Sequence, residues 1–294
     1  MIQFVNAKLN LGLNIVARRP DGYHDLETVF IPVGLYNGTP ANPEPFCDIL
    51  EITPSAATQG CTFHFAGRRV DCPEEKNLVV RAGRLFENML RERGLTAAGA
   101  EVCLEKHLPD GAGLGGGSAD ASFTLRMLNE MNGSPLSREE LLDAALSLGA
   151  DCPFFIENTP CFASGVGERL MPVDVPLAGW WAVIVKPTLS ISTREAFSGV
   201  TPRRPQHNLT EIIRRPVSEW RGEMTNDFED SLFPLYPVLG EIKSALYASG
   251  AEFALMSGSG ASLYGLFPTR ESANDALAAM AEEFPDTFRT VAML

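Results

Sequence analysis

The chain has 294 residues, of which 45% are hydrophobic and 21% are charged; this composition is typical of folded globular proteins and excludes an intrinsically disordered chain. Its 24 basic and 37 acidic residues give a net charge of −13, which disfavours a general nucleic-acid binder. No segment approaches the roughly 20 apolar residues of a membrane span, and the N-terminus lacks a signal-peptide pattern, so we expect a cytoplasmic protein, monomeric or homodimeric, with no membrane or nucleic-acid partner.

The first element is a predicted strand over residues 4–15, in which apolar and polar side chains alternate. The alternation places the polar residues on one face of this strand: Asn6, Lys8, Asn10 and Asn14. This face has two interpretations, a solvated sheet surface or the polar floor of a cleft. A turn from Arg18 to His24 follows, in which Asp21-Gly22 favours a chain reversal.

The rest of the chain predicts a mixed series of strands and helices. We expect strands near residues 25–36, 48–53, 61–66, 100–106, 180–186, 253–256 and 262–267. We expect helices over 78–93, after a glycine-rich segment near 115, over 137–148 with a capping box, and at 192–197, 234–248 and 271–283. A proline-containing loop spans Asn37–Pro45. The mixed order indicates an α+β protein, whose two domains we place at residues 1–163 and 164–294.

The glycine-rich segment is the strongest indication of a ligand-binding site, because five of the seven residues 111–117 are glycine. Glycines let the backbone approach a ligand closely, and a helix that follows directs its free N–H groups back into the loop. The pattern therefore predicts a phosphate site, with a purely structural turn as the alternative. It is not the common phosphate loop, because Ser118 and Ala119 stand where that motif has Lys and Ser or Thr.

Lys8 and Asp151 are the candidate catalytic side chains. Asp151 follows the predicted helix end at Gly149 and precedes an apolar stretch, where a nearby cation would keep a desolvated carboxylate ionised. An acid and a lysine beside a phosphate-binding loop suit phosphoryl transfer, in which the acid orients or deprotonates a hydroxyl. The plainer alternatives are a solvated lysine and an aspartate in a turn or helix cap.

Several of these segments carry a family resemblance. Pro109–Ala119 resembles the phosphate-binding loop of the GHMP kinases, named for galactokinase, homoserine kinase, mevalonate kinase and phosphomevalonate kinase, and Ser257–Ser262 resembles their C-terminal glycine motif. Within that superfamily, three segments are similar to the kinases of 4-(cytidine 5′-diphospho)-2-C-methyl-D-erythritol: Ala7–Leu11, Arg19–His24 and Gly149–Phe155. The similarity extends from Ala7 to about Phe267.

The resemblance implies a two-domain α+β kinase with its active site in the cleft between the domains. Its members transfer the γ-phosphate of ATP, with Mg²⁺, to the 2-hydroxyl of this cytidine compound in the non-mevalonate route to isoprenoid precursors. Lys8 and Asp151 match the catalytic pair. The residues that match ATP-binding positions are Asn77, Lys106, Pro109, Asp110, Gly111, Ala112, Gly113, Leu114, Gly115, Gly116, Gly117, Ser118 and Ala119. The residues that match substrate-binding positions are Asn10, Tyr23, His24 and Phe197.

The resemblance implies that Tyr23 and Phe197 stack on the two faces of the cytosine ring and that His24 forms hydrogen bonds to the edge of the ring. The sequence does not show which side chain, if any, binds Mg²⁺; Ser118 is a candidate, and neither the cysteines nor the histidines show metal-ligand spacing. Two alternatives stay open. Another small-molecule GHMP kinase, for mevalonate or a sugar, would share the loop, and a non-catalytic nucleotide sensor would share the fold.

Overall fold

The computed structural model describes residues 1–35, 46–56, 60–69 and 72–294. The strands are β1 (Ile2–Arg18), β2 (His24–Val33), β3 (Cys47–Pro54), β4 (Cys61–Gly67), β5 (Ala100–Lys106), β6 (Cys161–Gly165), β7 (Arg169–Pro172), β8 (Trp181–Lys186), β9 (Phe253–Met256), β10 (Leu263–Phe267) and β11 (Phe288–Met293). The helices are α1 (Leu78–Glu92), α2 (Gly116–Met131), α3 (Arg138–Leu148), α4 (Cys152–Glu157), α5 (Thr193–Ser198), α6 (Leu209–Ile212), α7 (Glu229–Leu235), α8 (Pro237–Ala248) and α9 (Arg270–Glu283). The loop predicted over Asn37–Pro45 lies outside the described residues.

The chain forms two compact units built from interleaved segments. Unit 1 comprises Met1–Ala7, Cys47–Asp110 and Gly115–Asn158, and unit 2 comprises Lys8–Phe46, Gly111–Leu114 and Thr159–Leu294. Both β1 and the glycine-rich loop therefore contribute residues to each unit. The domain boundary after residue 163 stays a prediction.

Unit 1 joins a sheet to helices α1–α4. Its strands run in the order β4, β5, β3 and the start of β1, with β4 parallel to β5 and the other pairs antiparallel. Val5 of β1 lies opposite Asp48 of β3. The capping box of α3 is confirmed, since Ser137 accepts from the Glu140 backbone and Glu140 accepts from the Ser137 backbone.

Unit 2 contains two sheet segments and the helices of the C-terminal half. The later part of β1 pairs with β2, followed by β6 and β7, and a second sheet has the order β11, β8, β10, β9. Its core joins apolar residues of β8, β9 and β10 to buried residues of α7, α8 and α9. The sequence patterns did not predict β6, β7, β11, α4, α6 or α7 as separate elements. No helix among the described residues has the length and apolarity that a membrane crossing needs.

Strand β1 is buried along both faces, which corrects the solvated-face interpretation. Asn6, Lys8, Asn10 and Asn14 are all buried, with Asn14 the most exposed at 7%. Gly12 has a positive φ of 72° inside the strand, and the residues beyond it that enter the unit 2 core are Leu13 and Ile15. The shared face of Asn6, Lys8, Asn10 and Asn14 stays a prediction.

Candidate active site

The glycine-rich loop lies directly against the C-terminal glycine motif within unit 2. A Cβ atom at Gly113 would lie 2.0 Å from the carbonyl oxygen of Ser257, and the φ of Gly113 is +72°. The hydroxyl of Ser257 donates to the carbonyl of Gly113 at 2.9 Å. The backbone N–H of Ser262 donates to the carbonyl of Ala112 at 3.2 Å. Only glycine fits this close approach at position 113, so the loop sequence is dictated by packing as well as by ligand access.

Helix α2 begins where the loop ends. Gly115 is its N-cap residue in the left-handed region, with φ 71° and no side-chain cap. The first backbone N–H groups of α2 therefore have no capping side chain, and they share the positive end of the helix dipole. Such a helix start, preceded by glycines, suits the binding of phosphate oxygens.

Lys8 and Asn10 form a buried polar pair in unit 2. Lys8 Nζ donates to Asn10 Oδ1 at 2.5 Å and lies 5.0 Å from the centroid of the Phe30 ring. The backbone N–H of Lys8 donates to the carbonyl of Leu114 at 2.9 Å, so β1 holds the loop at this point. The ammonium therefore belongs to the surroundings of the loop and is not a solvated lysine.

The Asn10 residue is fixed from several directions. Its Nδ2 donates to Thr28 Oγ1 at 2.9 Å, and its backbone N–H donates to Ser257 Oγ at 3.3 Å. The hydroxyl of Tyr264 donates to the Asn10 carbonyl at 2.8 Å. Sequence reasoning missed all three partners. The hydroxyls of Ser257 and Tyr264 are 247 and 254 residues away along the chain, and such a separation leaves no local pattern.

Asp151 lies at the start of α4 in unit 1, where Cys152, Pro153, Phe154 and Phe155 are buried. The Ser122 hydroxyl lies within hydrogen-bond distance of the Ser118 carbonyl, at 2.9 Å, and of the Cys152 carbonyl, at 2.8 Å. It thereby links the first turn of α2 to the residue after Asp151. Burial raises the pKa of the Cys152 thiol to about 11, which disfavours its thiolate form at neutral pH.

Lys106 and Asn77 take part in contacts within unit 1. The buried ammonium of Lys106 donates to Asp48 Oδ2 at 2.5 Å and to Asp120 Oδ2 at 2.7 Å. Burial lowers the pKa of Lys106, but the two carboxylates more than offset it, and the pKa lies above its ordinary value. Burial raises the pKa of Asp120 to about 7, reinforced by Asp48 and opposed by Lys106. Asn77 Oδ1 caps α1 by accepting from the backbone of Val79 at 3.0 Å.

The aromatic residues of the predicted base pocket are partly assembled in unit 2. The rings of His24 and Phe197 stack with centroids 4.8 Å apart and planes 19° apart. Phe197 also meets the ring of Phe228 edge-on at 4.9 Å. Burial lowers the pKa of His24, assisted by the charge of Arg18. Tyr23 is 64% exposed, so core packing does not explain this tyrosine.

The predicted residues thus fall into two groups. Unit 2 brings Lys8 and Asn10 to the loop residues Gly113 and Leu114. Unit 1 holds Asp151, the first turn of α2 and Lys106. Asp151 and Lys8 belong to different units, and their joint action stays a prediction.

Sequence comparison identifies known domains in both halves. The profile described as "GHMP kinases N terminal domain" matches residues 77–158, and the one described as "GHMP kinases C terminal" matches residues 209–286. The chain is similar to a 4-diphosphocytidyl-2-C-methyl-D-erythritol kinase of Bacteroides fragilis, with 50% identity over 92% of this chain and 93% of that protein. A protein of the same name from Solidesulfovibrio magneticus is 38% identical over 97% and 94% of the two chains.

Solved structures agree with the sequence matches. A crystal structure of 4-(cytidine 5′-diphospho)-2C-methyl-D-erythritol kinase superposes with a TM-score of 0.80 at 31% identity, covering all of both chains. A homoserine kinase from Cytophaga hutchinsonii superposes with a TM-score of 0.68 at 19% identity, over 98% of this chain and 94% of that one. The second match shows the shared fold alone.

Proposed function

The chain belongs to the 4-diphosphocytidyl-2-C-methyl-D-erythritol kinases, within the GHMP kinases, and we propose that Lys8 and Asp151 are its catalytic pair. As a member of this family it is an ATP-dependent kinase of the route to isoprenoid precursors. The reaction transfers the γ-phosphoryl group of ATP to the 2-hydroxyl of 4-(cytidine 5′-diphospho)-2-C-methyl-D-erythritol. The observation that carries the assignment is the 50% identity over 92% of the chain.

Asp151 is proposed to receive or orient the proton of the substrate hydroxyl, which becomes the attacking oxygen. Lys8 offsets the negative charge that spreads over the transferring phosphoryl group, since most of the catalysis of phosphoryl transfer comes from positioning and charge stabilisation. The short bond from Lys8 to Asn10 fixes the direction of the ammonium. Asn10 also offers its amide to the substrate hydroxyls.

The loop Pro109–Ala119 is proposed to hold the ATP phosphates, supported by the uncapped start of α2 and by the close packing of Gly113 on Ser257. Mg²⁺ supplies charge neutralisation to the phosphates when it is bound. The described residues contain no cluster of three or more His, Cys, Asp or Glu side chains that could hold a metal. No protein ligand is assigned to Mg²⁺, which usually keeps several waters and few protein ligands.

Recognition of the cytosine ring is proposed for Tyr23, His24 and Phe197. Tyr23 is an exposed tyrosine that offers a flat apolar face, and His24, the next residue along the chain, stacks on Phe197. Stacking would bind the ring, and the imidazole would read its edge through hydrogen bonds. The six cysteines form no disulfide bonds in the described part of the chain, and a cytoplasmic location is proposed from the composition.

The test is release of ADP by the purified protein with Mg·ATP and one acceptor at a time: the cytidine compound, mevalonate, homoserine or galactose. We expect release with the cytidine compound only. Release with another acceptor would support the phosphate-binding role of the loop and contradict the proposed cytosine pocket. No release with any acceptor would favour a non-catalytic nucleotide sensor. The Lys8→Met protein, prepared identically, controls for contaminating kinases.

A further inference from the structure

Three buried ionisable side chains lie at the two ends of the glycine-rich loop within unit 1. Asp48 lies on β3, Lys106 ends β5 immediately before the loop, and Asp120 lies in the second turn of α2 immediately after it. Their exposures are 0%, 5% and 2%. The resemblance matches Lys106 to an ATP-binding position, and its ammonium donates to these two carboxylates.

Asp48 holds the entry of the loop. Its Oδ1 accepts from the backbone N–H groups of His107, at 2.6 Å, and Leu108, at 2.8 Å, while its Oδ2 accepts from Lys106 Nζ. One carboxylate thereby fixes three consecutive residues ahead of Pro109. Hydrogen bonds to a charged acceptor are stronger and more directional than neutral ones.

Asp120 holds the exit of the loop through the same ammonium. Its Oδ2 accepts from Lys106 Nζ, and its Oδ1 is buried with no hydrogen-bond partner among the described residues. The Lys106 ammonium also lies close to the end of the loop, as shown by the 3.5 Å that would separate Nζ from a Cβ atom added at Gly116. The two carboxyl groups share one ammonium beneath a site built for phosphates, and leaving one buried oxygen of Asp120 without a partner costs free energy. A buried ion pair is by itself weak evidence for a stabilising role.

We propose that Asp48, Lys106 and Asp120 form a positioning network that holds both ends of the phosphate-binding loop in register, and that Lys106 acts on ATP through the loop and not by direct contact. The network rests on the proposed function, because it matters for activity only if the loop binds ATP. It makes Lys106 a positioning residue.

The test compares Lys106→Met with the double variant Lys106→Met/Asp120→Asn. Lys106→Met leaves two buried carboxylates facing each other, close enough to interact directly. We expect it to weaken ADP binding, measured by calorimetry at about pH 9, by about tenfold or more, and to raise the KM for ATP with little change in the KM for the cytidine compound; at lower pH, protonation of Asp120 would relieve the repulsion between the two carboxyl groups. The double variant removes one of the two charges and lets the amide introduced at position 120 donate to Asp48. We expect it to bind ADP within about threefold of the unmodified protein.

Direct contact between Lys106 and the nucleotide predicts the opposite, because a second substitution cannot restore a lost contact. A double variant that still binds ADP about tenfold more weakly than the unmodified protein would overturn the proposal. If Lys106→Met does not fold, the double variant alone still separates the two outcomes. Failure of the unmodified protein to bind ADP would count against the proposed function and not against the network specifically.

A purely structural role is separated by a matched control at the other end of α2. Asn129 is buried and bonds both the N–H and the carbonyl of Leu136 through its side chain, so Asn129→Ala also removes buried hydrogen bonds from this helix. We expect it to lower the melting temperature while leaving the KM for ATP unchanged. An equal rise of the KM for ATP in Asn129→Ala and Lys106→Met would show that the network only stabilises the fold, and it would contradict the proposal.

Discussion

The ammonium nitrogen of Lys8 lies 2.5 Å from Oδ1 of Asn10, and the two side chains are only 2% and 1% exposed. A buried ammonium costs free energy unless its protons are bonded, so this contact keeps the cation in one orientation. A Cβ atom at Gly258 would lie 3.3 Å from the same nitrogen. The cation is therefore presented beside the C-terminal glycine motif, on which the loop packs at Gly113.

The first prediction concerns the proposed catalytic pair. Lys8→Met and Asp151→Asn keep the shape of each side chain and remove its charge. We expect each to lower kcat by about a thousandfold or more, since charge stabilisation and proton handling are lost in the transition state. Steady-state ADP release measures the effect. Circular dichroism and ADP binding should match those of the unmodified protein, and a fully active Asp151→Asn enzyme would refute the mechanism.

The second prediction concerns the close packing at Gly113. Gly113→Ala would place a Cβ atom 2.0 Å from the carbonyl oxygen of Ser257 at a φ of +72°. Because neither backbone can yield without moving the loop, we expect ADP binding to weaken by about tenfold or more and the melting temperature to fall.

Gly133→Ala is the matched control for this substitution. Its φ is +79°, but a Cβ atom there would meet nothing within 4 Å. It should cost about 1 kcal/mol of stability through backbone strain alone and leave ADP binding unchanged. Equal loss of ADP binding in both variants would mean that strain, and not the approach of the loop to Ser257, explains the effect.

The third prediction concerns the base pocket. Tyr23 is 64% exposed, so Tyr23→Ala should leave the free energy of unfolding nearly unchanged while it raises the KM for the cytidine compound by about tenfold, as expected for the loss of one stacking contact. The KM for ATP should not change. Phe65→Ala removes another exposed aromatic ring, 44% exposed on β4, and should alter neither KM. Unchanged affinity for the cytidine compound in Tyr23→Ala would remove Tyr23 from the pocket.

The sequence predicted the local parts of this molecule better than the contacts between distant segments. The capping box of Ser137 and Glu140 and the helix after the glycine-rich loop are local patterns, and the structure confirms both. The positive φ of Gly12 within β1 was not predictable, because an alternation of apolar and polar residues does not reveal it. Strand β7 escaped prediction because it has only four residues, none of them buried.

The network around Lys106 shows the same limit at the candidate site. A lysine ahead of a glycine-rich loop is visible in the sequence, but its partner Asp48 is 58 residues away. An isolated aspartate in a strand has no pattern that distinguishes a buried ion pair from a solvated one. The roles that came from the family resemblance are therefore specific about residues, whereas the contacts that position those residues come from the structure alone.

The last prediction concerns the pH dependence of stability that Asp120 introduces. Asp120 faces Lys106 from β5 and Asp48 from β3. Burial, reinforced by Asp48 and opposed by Lys106, raises its pKa from 3.8 in a model peptide to about 7 in the fold. The folded protein therefore binds more protons than the unfolded chain between these values. The contribution of Asp120 to the free energy of unfolding is complete below about pH 4 and is lost as the pH rises through about 7.

Asp120→Asn removes this titration. We expect the free energy of unfolding of the unmodified protein, from urea titrations at pH 5 and pH 8, to fall by about 1 to 4 kcal/mol relative to that of Asp120→Asn as the pH rises. Asp143 is an exposed carboxylate on α3, and Asp143→Asn should follow the unmodified protein at both pH values. Parallel curves for Asp120→Asn and the unmodified protein would show that Asp120 is already ionised at pH 5, because only a carboxyl that gains a proton in the folded state produces this slope.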